Sequence, residues 1–288
     1  MSLSWIFLAV LASPVALVAV SFIVEAVRRA PQPPGKLTWA PSIAIRYVDI
    51  GGVKVRYVKT GAGPNLVLLH TLRTQLDLFE KIVPDLAKHF TVYALDYPGH
   101  GYSDIPSARY NADFFVRCIE DFLHALDLGD VTLCGVSIGG AIGLIIAGRR
   151  DPRVVRVVAI NPYDYAKGRG MARSSLLGWM ITVSSELPVV GETVMRLRNF
   201  IIMKAVLRGG VADPENIRPE LLKEMYDVGN GAVTTELSSA SCATPRAGRA
   251  QPRSIGISTC PYVWSGASRI GPTRRSATRI IDCCRTRR

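Results

Sequence analysis

A short glycine-rich turn between an apolar run and a helical segment is the feature that most constrains the fold of this chain. The run Val131 to Val136 passes into Gly135-Val-Ser-Ile-Gly139, and helical periodicity then continues from Ile138 to Arg150. So sharp a turn brings backbone against backbone, which explains the glycines on either side of Ser137. The pattern predicts a strand, a tight turn that carries Ser137, and a helix whose first N–H groups create positive potential beside the serine. A purely structural Gly-Ser turn is the alternative.

The rest of the central region alternates apolar runs with segments of helical periodicity. Continuous apolar strands that alternate with helices indicate a mostly parallel sheet with both faces covered, and hence an α/β fold. In front of them, the alternating pattern of Ile43 to Lys59 around Asp49-Ile-Gly-Gly52 predicts an antiparallel hairpin. The apolar runs are Leu66 to Leu69, Thr91 to Leu95, Val131 to Val136 and Val154 to Ile160, and the helical segments are Leu76 to His89, Tyr110 to Leu128 and Ile138 to Arg150.

Two further predicted strands end in distinctive residues. One is followed by His70-Thr-Leu-Arg73 and the next by Asp96-Tyr-Pro-Gly-His-Gly-Tyr-Ser-Asp104. Together with the serine turn, these segments resemble the α/β-hydrolase superfamily, in which successive strands end in His-Gly, in D-x-P-G-x-G-x-S and in G-x-S-x-G. The resemblance extends from Ile43 to about Pro162 in the same order and spacing.

The resemblance implies an α/β-hydrolase fold with a helical cap, and a set of site residues. Ser137 corresponds to the nucleophile, and the backbone N–H groups of Ile138 and Leu72 would face the developing oxyanion. The residues that would line the site are His70, Thr71, His100, Gly135 and Gly139. Thr71 departs from the family's glycine, and because threonine tolerates unusual backbone angles less well, the departure weakens the case for the Leu72 donor.

Each histidine also has a structural interpretation. His70 fits a buried residue that shapes its loop by hydrogen bonding, as an alternative to a proton carrier. His100 belongs to the Pro-Gly-His-Gly turn, with a lining role as the second possibility. His89 and His124 fit surface positions.

The residues that would activate the serine are missing. A serine hydrolase needs a base to accept the serine proton and an acid to orient that base, and in this fold both follow the serine. The four histidines, at positions 70, 89, 100 and 124, all precede Ser137. Asp164 is a candidate acid, with a surface residue at the cap boundary as the alternative.

These observations predict a serine hydrolase that acts on an ester, amide or related carbonyl substrate through a Ser137 acyl-enzyme but is catalytically impaired. The alternative is a non-catalytic, membrane-anchored binding or interaction protein with the same fold. The family's dehalogenases and epoxide hydrolases use Asp at the turn, so Ser137 argues against those activities. A small-molecule substrate is expected, and the cap segment does not identify it.

The 51 residues from Ser238 onward differ in composition from the rest. They hold ten Arg, no Leu and one Asp, a net charge of +9, whereas the other 237 residues carry only +3. Cys260-Pro-Tyr-Val-Trp264 partly matches a family strand. A shifted reading frame near Leu237, with loss of the genuine C-terminal strands, is the preferred interpretation. A natural basic tail that binds phospholipid headgroups or nucleic acid is the alternative, and the main body is expected to bind no specific nucleic acid.

The N-terminus is strongly apolar. Trp5 to Val27 contains only four residues that are not apolar, and as a helix it would extend roughly 35 Å, more than the ~30 Å core of a bilayer. Because Arg28 and Arg29 follow the run, we expect an uncleaved single-pass anchor with the hydrolase domain in the cytoplasm. A cleaved signal peptide and a buried helix are the alternatives.

The chain is therefore expected to contain an anchor at 1–30, a linker at 31–42, a hydrolase core at 43–164, a helical cap at 165–237 and a basic, low-order tail at 238–288. The six cysteines have neither zinc-ligand nor disulfide-framework spacing, so we expect no metal, and Cys118 and Cys134 fit reduced core residues. No phosphate-binding glycine motif follows a strand, so no cofactor is expected.

Overall fold

The computed structural model describes residues 3–28, 32–163, 189–209, 217–229 and 257–259, together with 176, 179, 180, 183, 184 and 187. For residues 3–12 and 257–259 it describes the backbone alone. The candidate acid Asp164, most of the 164–188 segment and most of the predicted tail lie outside the described residues.

A seven-stranded mixed sheet forms the centre of the molecule. The strand order is β1-β2-β4-β3-β5-β6-β7, in which β1, β2 and β4 pair antiparallel and the remaining pairs are parallel. The predicted mostly parallel sheet and its leading hairpin are therefore confirmed. The strands are β1 Ile45–Asp49, β2 Lys54–Thr60, β3 Asn65–Leu69, β4 Thr91–Leu95, β5 Val131–Val136, β6 Val154–Ile160 and β7 Ile257–Thr259.

Hydrophobic layers cover both faces of this sheet, because side chains of successive strand residues point to opposite sides. In β3, Val67 and Leu69 pack into a layer formed with α3 (Ala112–Ala125) and α4 (Ile138–Arg149). Leu66 and Leu68 face a second layer that includes Phe79, Val83 and Leu86. As predicted, Cys118 and Cys134 are buried, free thiols in these layers.

The predicted continuous helix from Leu76 to His89 is wrong. The segment contains a 3₁₀ turn, Leu76–Phe79, and a single helical turn, α2, Val83–Leu86. Two features interrupt a longer helix. Pro84 lacks a backbone N–H, and the side chain of Asp77 is buried among polar partners from β2 and the N-terminal segment, which fixes the direction of the 3₁₀ turn.

The described part of the segment predicted as the cap contains α5 (Val190–Arg196), α6 (Phe200–Gly209) and α7 (Pro219–Val228). The apolar pattern of Val194 to Val206 favours one helix, but the structure has two helices with a break at residues 197–199. The Asn199 side chain stabilises the second start, because its Oδ1 accepts a hydrogen bond from the Ile202 N–H at 3.0 Å.

The N-terminal run forms α1, Leu3–Ala26, a helix as expected for this apolar segment. In the described part of the chain, where the side chains of α1 begin at Ser13, no helix is both long and apolar enough to cross a membrane. The end of the predicted linker packs against the core: Leu37 is buried, and the Trp39 indole N–H donates to Asp77 at 2.7 Å.

One part of the predicted basic tail joins the sheet. The backbone of β7 pairs parallel with β6, with Ile257 opposite Val157 and Thr259 opposite Ala159. The strand lies directly before the Cys260-Pro-Tyr-Val-Trp264 segment that partly matches the family pattern.

Candidate active site

Ser137 occupies the sharp turn between β5 and α4. Its backbone angles, φ 54° and ψ −114°, are unusual for a residue with a side chain. The turn is fixed on both sides, because the Ser137 N–H donates to the Ile160 carbonyl at 3.0 Å and the Ser137 carbonyl accepts from the Tyr163 N–H at 3.0 Å. The residue is half-buried. Such a conformation presents the hydroxyl at the carboxyl edge of the sheet.

The glycines beside Ser137 permit close backbone contacts that no other residue allows. A Cβ on Gly135 would lie 2.2 Å from the carbonyl carbon of Gly139, and a Cβ on Gly139 would lie 2.3 Å from the carbonyl oxygen of Leu69. The second contact places the start of α4 directly against the end of β3. Ser137 therefore lies next to the loop that begins at His70, as the sequence motifs predict.

The two candidate oxyanion donors come from these neighbouring segments. Ile138 is the first residue of α4, so its N–H belongs to the helix start, where donors have no partner within the helix. Leu72 lies in the loop after β3 and packs against the hydrophobic layer of α3 and α4. Thr71 does not adopt a left-handed conformation, and Arg73 instead has φ 58°. The left-handed position of this loop is therefore Arg73, two residues after Thr71, so threonine is tolerated at position 71.

His70 is fully buried, and both of its ring nitrogens are occupied. Nε2 accepts a hydrogen bond from the Tyr97 N–H at 3.2 Å, so the ring proton lies on Nδ1, which donates to the Thr71 carbonyl at 2.7 Å. Burial, with a smaller effect from His100, holds the pKa of His70 well below its usual range. These contacts match the interpretation of His70 as a residue that shapes the loop, and they leave it no free nitrogen to accept a proton.

His100 lies beside His70 in an aromatic environment. Its ring centroid is 5.5 Å from that of His70 and 5.7 Å from that of Phe115. Burial lowers the pKa of His100 to about 4, so the ring is neutral at pH 7. By contrast, His89 and His124 are exposed, as expected.

The Asp96-to-Ser103 motif folds the loop after β4 around one buried carboxylate. Asp96 Oδ1 accepts from the Leu76 N–H at 2.7 Å and Oδ2 from the Tyr102 N–H at 2.9 Å. A Cβ at Gly101, where φ is 55°, would lie 2.0 Å from Asp96 Oδ2. The Ser103 hydroxyl donates to the Asp96 carbonyl at 2.8 Å. The motif therefore fixes the loop after β4. This loop contains His100, and its Tyr97 N–H donates to His70.

The partner of this carboxylate, Arg56, is not predicted by any of the sequence motifs. Arg56 in β2 is fully buried, and its Nη1 donates to Asp77 at 3.0 Å and to Asp96 at 3.1 Å. Within the described part of the chain, its Nε and Nη2 have no hydrogen-bond partner. Burial raises the pKa of Asp96 to about 6, although Arg56 acts in the opposite direction. The sequence signal that could have identified Arg56 was its position as a charged residue between Val55 and Tyr57, in a strand covered on both faces.

The same polar cluster reaches the cap. Gln75 Nε2 donates to Asp77 at 2.7 Å and to Glu224 of α7 at 3.1 Å, and Arg218 pairs with Glu80. Burial raises the pKa of the Glu224 carboxyl. Helix α7 is thus attached by polar contacts to the loops that follow β3 and β4.

In chemical terms, the arrangement offers a serine hydroxyl beside N–H groups that can stabilise an oxyanion. The described histidines offer no assembled base next to the serine. The described residues also contain no group of three or more His, Cys, Asp or Glu side chains that could hold a metal ion.

Comparison with known proteins gives a consistent result. The protein family described as alpha/beta hydrolase fold matches residues 64–191. The chain is 35% identical over 103 residues to 2-hydroxy-6-oxo-6-(2'-aminophenyl)hexa-2,4-dienoic acid hydrolase of Metapseudomonas resinovorans, a match that covers 34% of this chain and 36% of the relative. It is 32% identical over 120 residues to 2-(acetamidomethylene)succinate hydrolase of Mesorhizobium japonicum, covering 42% and 43%.

Solved structures show the same fold at lower identity. The haloalkane dehalogenase DatA of Agrobacterium tumefaciens is similar with a TM-score of 0.62 and 20% identity, covering 85% of this chain and 75% of that one. The chain spans less than half the length of the two curated relatives named above. The family match over residues 64–191 includes the serine turn and the loop after β4.

Proposed function

The chain belongs to the α/β-hydrolase superfamily, and from this premise we propose that it is a serine hydrolase scaffold in which Ser137 attacks the carbonyl carbon of an ester, amide or related small molecule. The observation that carries the proposal is the strained conformation of Ser137 at the junction of β5 and α4. A side chain held at φ 54° beside free helix N–H groups suits a nucleophile whose product is an oxyanion. Ile138 and Leu72 would supply the two N–H donors.

The related hydrolases support a carbonyl substrate for the same site. Both curated relatives are named as hydrolases of acidic, carbonyl-containing small molecules. Their matches cover less than half of their length, so the proposal extends to the reaction class and not to either substrate. The serine at position 137 favours acyl transfer over the dehalogenase and epoxide hydrolase activities.

Impaired catalysis is part of the proposal. No histidine follows Ser137 in the sequence, and the ring nitrogens of His70 are both engaged. Without a base, the serine retains only oxyanion stabilisation and binding, which leave a rate enhancement of about 10³ to 10⁴ over water. Asp164 remains a candidate acid. We attribute the missing base to a frame shift near Leu237.

Chemical rescue tests the role of Ser137. Imidazole added to the full chain with p-nitrophenyl acetate should accept the hydroxyl proton while the Ser137 Oγ bonds to the acyl carbon and p-nitrophenolate leaves. We expect an acyl adduct on Ser137, detected by peptide mass spectrometry, that grows with imidazole concentration. The matched control is Ser137→Ala, which should form none. An adduct that forms equally in both proteins would refute the proposal.

The second candidate function is a non-catalytic binding protein. The engagement of both His70 nitrogens favours it, because no described side chain replaces the missing base. In that case carbonyl ligands should bind near Ser137 without any adduct. Ligand-induced changes in melting temperature that survive Ser137→Ala, together with no adduct under rescue, would favour this function.

We also propose that α1 anchors the protein to a membrane, with the hydrolase domain in the cytoplasm. The support is the apolar sequence from Trp5 to Val27, followed by Arg28 and Arg29. Full-length protein should stay with membranes after an alkaline carbonate wash. Recovery in the soluble fraction, or a mature N-terminus near residue 25, would contradict the anchor.

A further inference from the structure

Exposed apolar side chains are concentrated in two parts of the molecule. Among the described residues, fifteen of the seventeen exposed large hydrophobic side chains lie between Val15 and Val27 or between Leu176 and Ile202. Only Tyr47 and Val155 lie elsewhere. Several of these side chains are exposed over most of their surface: Val15 is 71% exposed, Leu176 74% and Ile201 77%. Single exposed apolar residues are common, but their concentration indicates an interaction surface.

These two parts are joined through the packing of α1 against α5. The Arg196 guanidinium lies over the Phe22 ring, 3.9 Å from its centroid. Arg28 Nη2 donates to the backbone carbonyls of Arg196 at 2.6 Å and Arg198 at 3.2 Å. Because α1 ends in several specific contacts with the cap, it cannot act as a loose tether. Any medium that surrounds α1 must also contact the neighbouring cap helices.

Basic residues gather at this junction. Arg28 pairs with Glu25 at 2.9 Å, and Arg198 approaches the same carboxylate at 3.5 Å. Burial, and then the nearby Arg28, lower the pKa of Arg198 to about 10, so it stays charged at pH 7. Arg196 pairs with Glu192. Three arginines against two glutamates leave the junction positive. Each arginine side chain is only 10–13% exposed, so the junction would attract the anionic headgroups of a cytoplasmic leaflet through its net charge and not through extended contacts.

We propose that the exposed apolar residues of α1, α5, α6 and the described positions 176–189, here called the cap–anchor surface, enter one leaflet of a lipid bilayer, with Arg28, Arg196 and Arg198 at headgroup level. A bilayer accepts apolar side chains without the shape complementarity that a protein partner requires. The surface is also continuous with α1, the apolar helix that we propose as the membrane anchor. The inference goes beyond an anchor because it places the cap itself in lipid, and it depends on the proposed membrane association but not on the proposed chemistry.

Site-specific photo-crosslinking in full-length, membrane-reconstituted protein tests this inference. Benzoylphenylalanine replaces Ile201 or Trp179 in the cap, Leu17 in α1, or Tyr47 on the sheet edge. Tyr47 is the matched control, because it is 44% exposed but lies on β1. With vesicles that contain a clickable phospholipid, we expect lipid adducts at positions 201 and 179 comparable with position 17, and none at position 47.

The other outcomes separate the two proposals. Adducts at position 17 without any at 201 and 179 would overturn the inference while the anchor stands. Loss of adducts at all three positions would overturn both. Crosslinks from position 201 to a second copy of the chain, or to another segment of the same chain, would also overturn the inference, since they would show that protein covers this surface.

Discussion

At the scale of single residues, the local sequence around Ser137 determines its conformation. Two glycines permit the close approach of α4 to β3, and hydrogen bonds with the end of β6 and with Tyr163 just after it fix the turn. The serine therefore carries strain that is tolerated because the surrounding backbone allows no alternative. Function and stability should respond in opposite directions when this strain is removed.

Ser137→Gly should stabilise the protein, because glycine adopts φ 54° without a steric penalty. We expect the free energy of unfolding to rise by about 1 kcal/mol relative to Ser137→Ala, which also lacks the hydroxyl but keeps the Cβ. Urea unfolding of both variants measures the difference. Equal stability of the two variants would show that the turn is not strained.

His100 should make stability depend on pH. Its folded-state pKa of about 4 lies below the ordinary value, so the unfolded chain binds the proton more readily and stability falls as the pH drops through that interval. Between pH 7 and pH 5, His100→Gln should lose about 1–2 kcal/mol less than the parent protein. Asp96, whose raised pKa acts in the opposite sense, is present in both proteins and cancels in the comparison. His70 is also present in both, and because burial is the main cause of its lowered pKa and His100 the smaller one, most of its contribution cancels as well.

The pH dependence is measured by urea unfolding at both pH values. The exposed His124 supplies the control, because His124→Gln should leave the difference unchanged. The same loss in His100→Gln as in the parent would mean that His100 is not buried in a neutral form.

At the scale of elements, short apolar runs predicted the strands β3 to β6 within one residue of their observed ends. β4, β5 and β6 match at both ends, because continuous apolar runs in a covered parallel sheet leave few alternatives. The Leu76 to His89 segment could not be predicted in the same way. Its conformation depends on Asp77, whose partners Arg56 and Trp39 are distant in sequence. The apolar periodicity of the segment does not indicate these partners.

The site shows the same division. The motifs correctly predicted that Ser137, Ile138 and the His70 loop lie together, because the glycines in the serine motif are required by the close backbone contacts of the turn. Arg56 was missed because its role depends on carboxylates from two other elements. The break between α5 and α6 was missed as well, since Asn199 caps a helix within a stretch that reads as continuously helical.

Helix α4 offers two glycines with opposite expected effects. Gly139→Ala would push a methyl group against the Leu69 carbonyl oxygen, and we expect it to cost about 3 kcal/mol or to prevent folding. Gly148 lies in the same helix with nothing near its Cβ position, so Gly148→Ala should stabilise by about 0.5–1 kcal/mol. Thermal and urea unfolding of both variants measure this. Similar effects of the two substitutions would contradict the proposed contact between α4 and β3.

At the scale of the whole molecule, the chain combines a central region that matches the family with an arginine-rich C-terminal segment. Residues 64–191 match the family, the sheet continues to β6, and β7 adds a strand from the arginine-rich segment. In the α/β-hydrolase order, the acid and the histidine follow the serine. A strand after β6 is therefore where the missing residues should be found, and the sequence after Leu237 contains no histidine and, as its one acid, Asp282 close to the end.

Restoring the reading frame after about Leu237 should supply an aspartate and a downstream Gly-His, and with them turnover that Ser137→Ala abolishes. The physical reason is that a base and its orienting acid convert a weak serine nucleophile into an effective one, whereas a site without the base keeps a small residual rate. Hydrolysis of p-nitrophenyl esters by the two full-length forms measures the effect, and the form with the present sequence should show little activity and little change on Ser137→Ala.

Robust Ser137-dependent turnover by the present sequence would mean that His100 acts as the base, since His70 has no free ring nitrogen. The absence of a downstream histidine in every alternative frame would instead make the basic tail genuine and the binding function the better proposal.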